Sequence, residues 1–226
     1  MDSLYAVGTA PTIVDHGAGK SYLGFMLYDA LLNAKGDGWV WGIDHRTELV
    51  DSTRALAKNL GFERMGFVCG NTADAATHPD LPQTVHMVTA LHACDTATDD
   101  AIRYGLAKRA QHMVLVPCCQ AALAAALRRN KPQSLAATPL AELWRHALHT
   151  REFGSQLTNV LRCLQLEAAG YAVTVTELVG WEHSMKNELI IASLAPHAAK
   201  QKAASDRLAA LLDSLHLSDL KSQYLT

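Results

Sequence analysis

The chain has 226 residues, of which 49% are apolar and 19% charged, enough to bury one full core, and this excludes wholesale disorder, a collagen-like repeat and a coiled-coil rod. With 20 Lys and Arg against 22 Asp and Glu the net charge is −2, which argues against a protein that coats a nucleic-acid duplex and leaves only local basic patches. The longest apolar run, Ala121 to Leu127, is far short of the roughly 20 residues of a membrane span, and the N-terminal MDSLYAVGTAPT lacks a signal-peptide pattern, so a cytoplasmic protein is expected. The cysteines Cys69, Cys94, Cys118, Cys119 and Cys163 are odd in number, irregular in spacing and free of any CxxC pair. Neither a disulfide framework nor a metal site is expected from them.

In chain order, Thr12 to Asp15 reads as a first strand, and Lys20 to Asn33 as a helix with Leu23, Met26, Leu27, Ala30 and Leu31 on one face. Lys35-Gly-Asp-Gly38 ends it in a turn. Trp39 to Asp44 is a second strand and Thr47 to Leu60 a second helix closed by Gly61. Strands three to five follow at Met65 to Cys69, Val85 to Leu91 and His112 to Val116, with a helix from Thr96 to Arg109 between the last two. Gln120 to Ala169 is mostly helical, with Thr138 and Pro139 suited to a helix start. Tyr171 to Val179 and Glu188 to Leu194 complete the strands. From Ala198 the tail is amphipathic, with Leu208, Leu211, Leu212 and Leu215 on one face, suited to packing on its own domain or to a dimer contact.

Strand, crossover and strand in repetition predict a doubly wound α/β fold with a mostly parallel seven-stranded sheet, a helical insertion after strand five and a C-terminal helix. No linker or internal repeat divides the sequence. The expectation is one domain over residues 1–226, its core at about 12–194 and its terminal helix at about 198–217.

The most informative segment is VDHGAGKSYL, residues 14–23, a strand end, a glycine turn and a helix start. Such a turn brings backbone N–H groups to a ligand. A phosphate-binding loop ending in Gly19-Lys20-Ser21 needs a glycine where Val14 stands. A dinucleotide turn needs a third glycine where Tyr22 stands, a side chain expected to hold the helix off the strand. S-adenosylmethionine (SAM) needs neither: the turn approaches its methionine moiety and Asp15 can meet its ammonium group. Asp44 ends strand two in the position suited to ribose hydroxyls, with His45 and Arg46 beside it read as surface residues at a helix start. His92 and Asp95, after strand four, and Cys118 and Cys119, after strand five, fall at the crevice end of the sheet, although Asp95 also suits a helix N-cap.

VDHGAGKSYL, WGIDHR, LHACDTATDDAIRYGL, LVPCCQ and EHSMKNELIIA occur in the order seen in one branch of the class I SAM-dependent methyltransferases. The chain resembles tRNA ribose 2′-O-methyltransferases and the methyltransferase domain of the glutathione S-transferase C-terminal domain-containing protein. That resemblance implies a Rossmann-like methyltransferase domain with SAM as cofactor and no metal. It implies cofactor contacts from Asp15, Gly17, Gly19, Lys20, Asp44, Asn71, Thr72, Leu91 and His92. It places His92, Lys186 and Asn187 as catalytic candidates; Asp95 joins them, and Cys118 and Cys119 border the acceptor, from their places at the crevice end of the sheet. The sequence departs from the branch at Asp95, where relatives have glycine, and at Gln120, where they have histidine or tyrosine. Relatives also carry helices before strand one, so a missing segment or partner subunit is an alternative expectation.

Methyl transfer to a ribose hydroxyl needs an orienting or basic group, for which His92 and Lys186 are the candidates. Between Gln120 and Arg151 the charges are Arg128, Arg129, Lys131, Arg145 and Arg151 against Glu142, a segment that suits a phosphate backbone, with Arg128 and Arg129 as substrate contacts. Asn71 to Asp100 holds Asp74, Asp80, Asp95, Asp99 and Asp100 without a Lys or Arg, which suits a cationic or protein substrate. RNA is the expected acceptor and protein the runner-up. A non-catalytic SAM-binding subunit and a nucleotide enzyme with a degenerate phosphate loop are the remaining readings.

Overall fold

The structure, a computed structural model, describes residues 10–91, 96–117, 122–129, 139–180 and 187–225. Seven strands form one sheet in the order β3-β2-β1-β4-β5-β7-β6. They are β1 Thr12–His16, β2 Trp39–Asp44, β3 Met65–Cys69, β4 Met87–Leu91, β5 His112–Val116, β6 Tyr171–Glu177 and β7 Glu188–Leu194. β1 pairs in parallel with both β2 and β4, and β7 runs antiparallel to β5. Such central strands are covered on both faces, which is why they read as short, nearly continuous apolar runs. Ile13, Val14, Val40, Val88, Ala90, Met113 and Leu115 are all fully buried. The expected doubly wound, mostly parallel seven-stranded architecture is present.

The chain forms two compact units, Met1–Pro117 with Val175–Leu194, and Cys118–Thr174 with Ala195–Thr226. In the first, helix α1 (Tyr22–Leu27) continues as a π-helical segment, Tyr28–Asn33. Helices α2 (Thr47–Asn59) and α3 (Thr96–Ala107) complete that unit. Tyr28, Leu32, Val50 and Ala57 pack with Ile13, Val40, Met65 and Phe67 into one cluster. The second unit contains α4 (Ala122–Arg129), α5 (Ala147–Ala168) and α6 (Ala198–Ser214). Gly154 lets α5 close on α4, since a Cβ there would stand 2.8 Å from the Ala124 Cβ. Leu127, Leu161, Leu208 and Leu212 are fully buried in its core. The apolar stripe of the tail is thus covered within its own unit.

Several expectations are corrected. The first helix begins at Tyr22 and not at Lys20, because Ser21 takes left-handed backbone at φ 53°. Tyr22 does not hold this helix off the sheet; its side chain is 68% exposed. Gly24 supplies the close approach, for a Cβ there would lie 3.4 Å from Val40 Cγ1 and 2.4 Å from Ser21 Oγ. β4 begins two residues later than expected, after His86, whose backbone N–H donates to Thr12 O at 2.9 Å while its Nδ1 accepts from Thr12 N at 3.0 Å.

Candidate functional site

β1 is flanked on both sides, so the two polar residues that end it are buried: Asp15 is 2% exposed and His16 fully buried. Gly17 and Gly19 then turn the chain with φ of 68° and 57°, the left-handed region open to glycine without strain. The turn is pinned to β2: Ala18 N–H donates to Ile43 O at 2.9 Å, and Gly19 N–H to Asp44 Oδ2 at 2.8 Å. Ser21 N–H closes it onto Ala18 O at 2.7 Å. A Cβ on Gly19 would meet only Arg46 Nη2, at 3.6 Å, so its conformation and not crowding calls for glycine.

Asp15 lies opposite Thr89 in the β1–β4 register, and the Thr89 hydroxyl donates to its Oδ1 at 2.8 Å. Among the described residues this is the carboxyl's one side-chain partner, and no cation faces it. Burial raises its pKa to about 7, with the Thr89 bond offsetting only part of the rise. His16 is driven the other way, down to about 4, by the same burial. Its ring stands 5.1 Å from that of Tyr104, whose hydroxyl is pushed up to about 12 by burial. Both His16 nitrogens, the Tyr104 hydroxyl and the Ser21 hydroxyl are buried without a hydrogen-bond partner among the described residues. Buried polar atoms are normally paired, and these four gather around the end of β1 and its turn.

Asp44, also 2% exposed, sits at the end of β2 and is fully partnered. Its Oδ1 accepts from Arg46 N at 3.0 Å and Arg46 Nε at 2.9 Å. Its Oδ2 accepts from Gly19 N at 2.8 Å and Arg46 Nη2 at 2.9 Å. Burial alone would raise this carboxyl, but the Arg46 fork and the two backbone donors outweigh it and bring it to about 2. Arg46 is, as expected, an exposed residue at a helix start, its side chain 53% exposed, and its guanidinium is in addition forked onto Asp44. His45 is exposed, with Nδ1 3.6 Å from Asp44 Oδ1.

The other sequence candidates are placed as follows. Lys20 is exposed on the turn. Asn71 caps the 3₁₀ turn Thr72–Thr77, its Oδ1 accepting from Ala73 N at 3.2 Å, and the Thr72 side chain lies outside the described residues. Leu91 ends β4 opposite Val116. Asn187 is buried, with its amide donating to Val179 O and its own carbonyl accepting from Leu178 N at 2.7 Å. Arg128 and Arg129 are exposed in the last turn of α4, in the second unit. His92, Asp95, Lys186, Cys118 and Cys119 lie outside the described residues. The structure therefore brings together Asp15, Gly17, Gly19 and Asp44. It adds His16, Ser21, Thr89 and Arg46, which sequence reasoning missed. The spacing Asp-x-Arg directly after a strand was the available signal for Arg46. Among the described residues no cluster of His, Cys, Asp and Glu is arranged to hold a metal, and no helix is long and apolar enough to cross a membrane.

Residues 1–126 match a family described as a methyltransferase domain. No protein of curated function matches the chain in sequence. Among solved structures, it resembles the CMeT domain of the citrinin polyketide synthase at TM-score 0.51 and 17% identity, over 84% of this chain and 48% of that one. It resembles an rRNA methylase from Streptococcus thermophilus at TM-score 0.51 and 9% identity, over 82% and 87%. It also resembles fibrillarin from Aeropyrum pernix, solved with natively bound SAM, at TM-score 0.50 and 11% identity, over 81% and 66%. The chain spans about half the length of the citrinin synthase chain. These similarities establish the fold.

Proposed function

The chain belongs to the methyltransferase-domain family, and from that premise we propose that it transfers a methyl group from SAM to RNA, binding the cofactor between the glycine turn of β1 and the end of β2. Family and fold agree on the enzyme class expected from the sequence, a SAM-dependent methyltransferase. The observation that carries the site reading is the pair of buried strand-end carboxyls around a glycine turn, one facing no cation among the described residues and one at the mouth of the next strand.

The described residues fit SAM. Among the described residues Asp15 is a buried carboxyl with a single neutral side-chain donor and no cation, which suits an ammonium group. Gly17 and Gly19 present backbone without a side chain above it. Asp44 stands at the end of β2, where a carboxylate is the acceptor that two vicinal hydroxyls require. SAM supplies a methyl group on an electrophilic sulfonium. The chain's own part is to fix the ends of the cofactor, exclude water and orient the acceptor. We assign cofactor contacts to Asp15, Gly17, Gly19, Lys20, Asp44, Asn71, Thr72, Leu91 and His92. We assign the orienting of the acceptor hydroxyl and the uptake of its proton to His92 or Lys186, and count Asp95 and Asn187 in the same catalytic set. Cys118 and Cys119 border the acceptor, and the whole chain acts as one methyltransferase domain.

RNA is favoured by Arg128 and Arg129, exposed side by side at the end of α4, and by the rRNA methylase among proteins of similar fold. The basic count of that segment is lowered by ion pairs, Arg145 with Glu142 at 2.9 Å and Arg151 with Glu152 at 3.0 Å. The test is transfer of radiolabelled methyl from SAM to total RNA and to total protein of a cell extract. RNase-sensitive label is the expected result. Protease-sensitive label would replace RNA by protein, and no transfer to either would point to a SAM-binding subunit that needs a partner.

A further inference from the structure

Asp44 already accepts four hydrogen bonds, three of them from Arg46 and one from Gly19. A carboxylate offers about four acceptor sites on its two oxygens, so none is left for a diol. Two of the donors are backbone N–H groups. Gly19 N is fixed by the turn that Ala18 and Ser21 pin in place, and Arg46 N by the residue's place before α2. The other two, Nε and Nη2, belong to a guanidinium at the end of a side chain that is 53% exposed. They alone can leave without unfolding anything. An arginine fork presents its two N–H groups side by side to the two oxygens of a carboxylate, and two vicinal hydroxyls would need those same positions.

Building on the cofactor site proposed above, we propose that Arg46 is a latch on the nucleoside end of that site: its guanidinium holds the place of the two ribose hydroxyls and must swing into solvent before the cofactor can seat. The latch keeps the buried Asp44 carboxylate paired, avoiding the cost of an uncompensated charge. It also makes Arg46 a specificity-determining residue, because a ligand without a vicinal diol has nothing to exchange for the ion pair. The contact is weak enough to open, since partly exposed pairs contribute little net stability. It is also screened by salt. Gly19 belongs to the same device: its N–H donates to Asp44 Oδ2 at 2.8 Å, and a side chain there would begin 3.6 Å from Arg46 Nη2.

The test is calorimetric titration of the full chain, Arg46→Ala and Arg46→Lys with S-adenosylhomocysteine, at low and at high salt, with a thermal melt to confirm folding. At low salt Arg46→Ala is expected to bind about fivefold more tightly than the parent, the scale of one partly exposed ion pair. Raising the salt tightens binding by the parent and leaves Arg46→Ala unchanged. Arg46→Lys, with the charge but not the fork, falls between them. Equal affinities, or weaker binding by Arg46→Ala, would overturn the latch and make Arg46 idle or a direct cofactor contact. Failure of all three proteins to bind would remove the cofactor site itself, and the latch with it.

Discussion

Asp15 and Asp44 end neighbouring parallel strands and are equally buried, at 2% exposure each, yet one carboxyl sits near pKa 7 and the other near 2. Burial pushes both upward. What separates them is donors: among the described residues Asp15 has one neutral hydroxyl, whereas Asp44 has a guanidinium fork and two backbone N–H groups. Position on a strand end thus gives a carboxyl access to a ligand, while its partners decide whether it waits uncharged or charged. In the proposed site the first gives up its proton to receive a cation, and the second, charged at rest, receives a pair of hydroxyls.

The largest effect expected from breaking this comparison is on stability against pH. The folded Asp15 keeps its proton up to about pH 7 while the unfolded chain loses it near 3.8, so stability falls across that window by several kcal/mol. The folded His16 stays neutral down to about 4 while the unfolded imidazole protonates near 6.5, so stability rises with pH over most of the same window. The two adjacent residues oppose each other between about pH 4 and 6.5. Asp15→Asn leaves the His16 contribution bare, and its stability is expected to climb with pH by roughly 3 kcal/mol more than the parent's. His16→Phe does the reverse and falls with pH relative to the parent. His86 and His112 are also held below the usual imidazole range by burial, and they are common to all three proteins. Urea unfolding from pH 4.5 to 6.5 reads the differences; parallel curves for all three would contradict the opposition.

Asp44→Ala tests the other carboxyl. It removes an acceptor for charged hydrogen bonds, and S-adenosylhomocysteine affinity is expected to drop roughly 10- to 100-fold with the fold retained. Unchanged affinity by calorimetry would mean that the ribose does not sit at the end of β2.

The smallest effect sharpens the turn between them. Ser21 is a non-glycine residue at φ 53° with a buried hydroxyl that lacks a partner among the described residues. Ser21→Gly removes both burdens and is expected to add about 1 kcal/mol, a few degrees in Tm. A lower Tm would show that the hydroxyl holds the turn or the start of α1.

Much of the fold was legible because buried parallel strands announce themselves as short apolar runs. β2, β3, β5 and β7 fall where periodicity puts them. The ends of helices were less legible. Nothing in Lys20-Ser-Tyr22 signals that Ser21 would take left-handed backbone and delay α1, since serine is ordinarily an N-cap in extended backbone. Tyr28–Asn33 reads as ordinary helix although it widens to a π turn. In the site, Asp15, Gly17, Gly19 and Asp44 were visible as local pattern. Thr89 and Tyr104 were not, because what brings them to Asp15 and His16 is sheet register and helix packing across more than 70 residues of chain, as the Thr89–Asp15 separation of 74 shows. The exposure of Arg46 was legible but its fork onto Asp44 was not, because a charged residue two places past a strand is usually only solvated.

The most direct test of the account is calorimetric titration of the full chain with S-adenosylhomocysteine at pH 6 and pH 8, with ATP and NAD as controls. The expected result is binding of the homocysteine compound alone, on the order of −8 kcal/mol at pH 8. At pH 6 it weakens by about tenfold, because Asp15 must first give up its proton to receive the ammonium group. Binding of ATP in its place, no binding at either pH, or an affinity indifferent to pH would contradict the pairing of Asp15 and Asp44 as the two ends of one cofactor site.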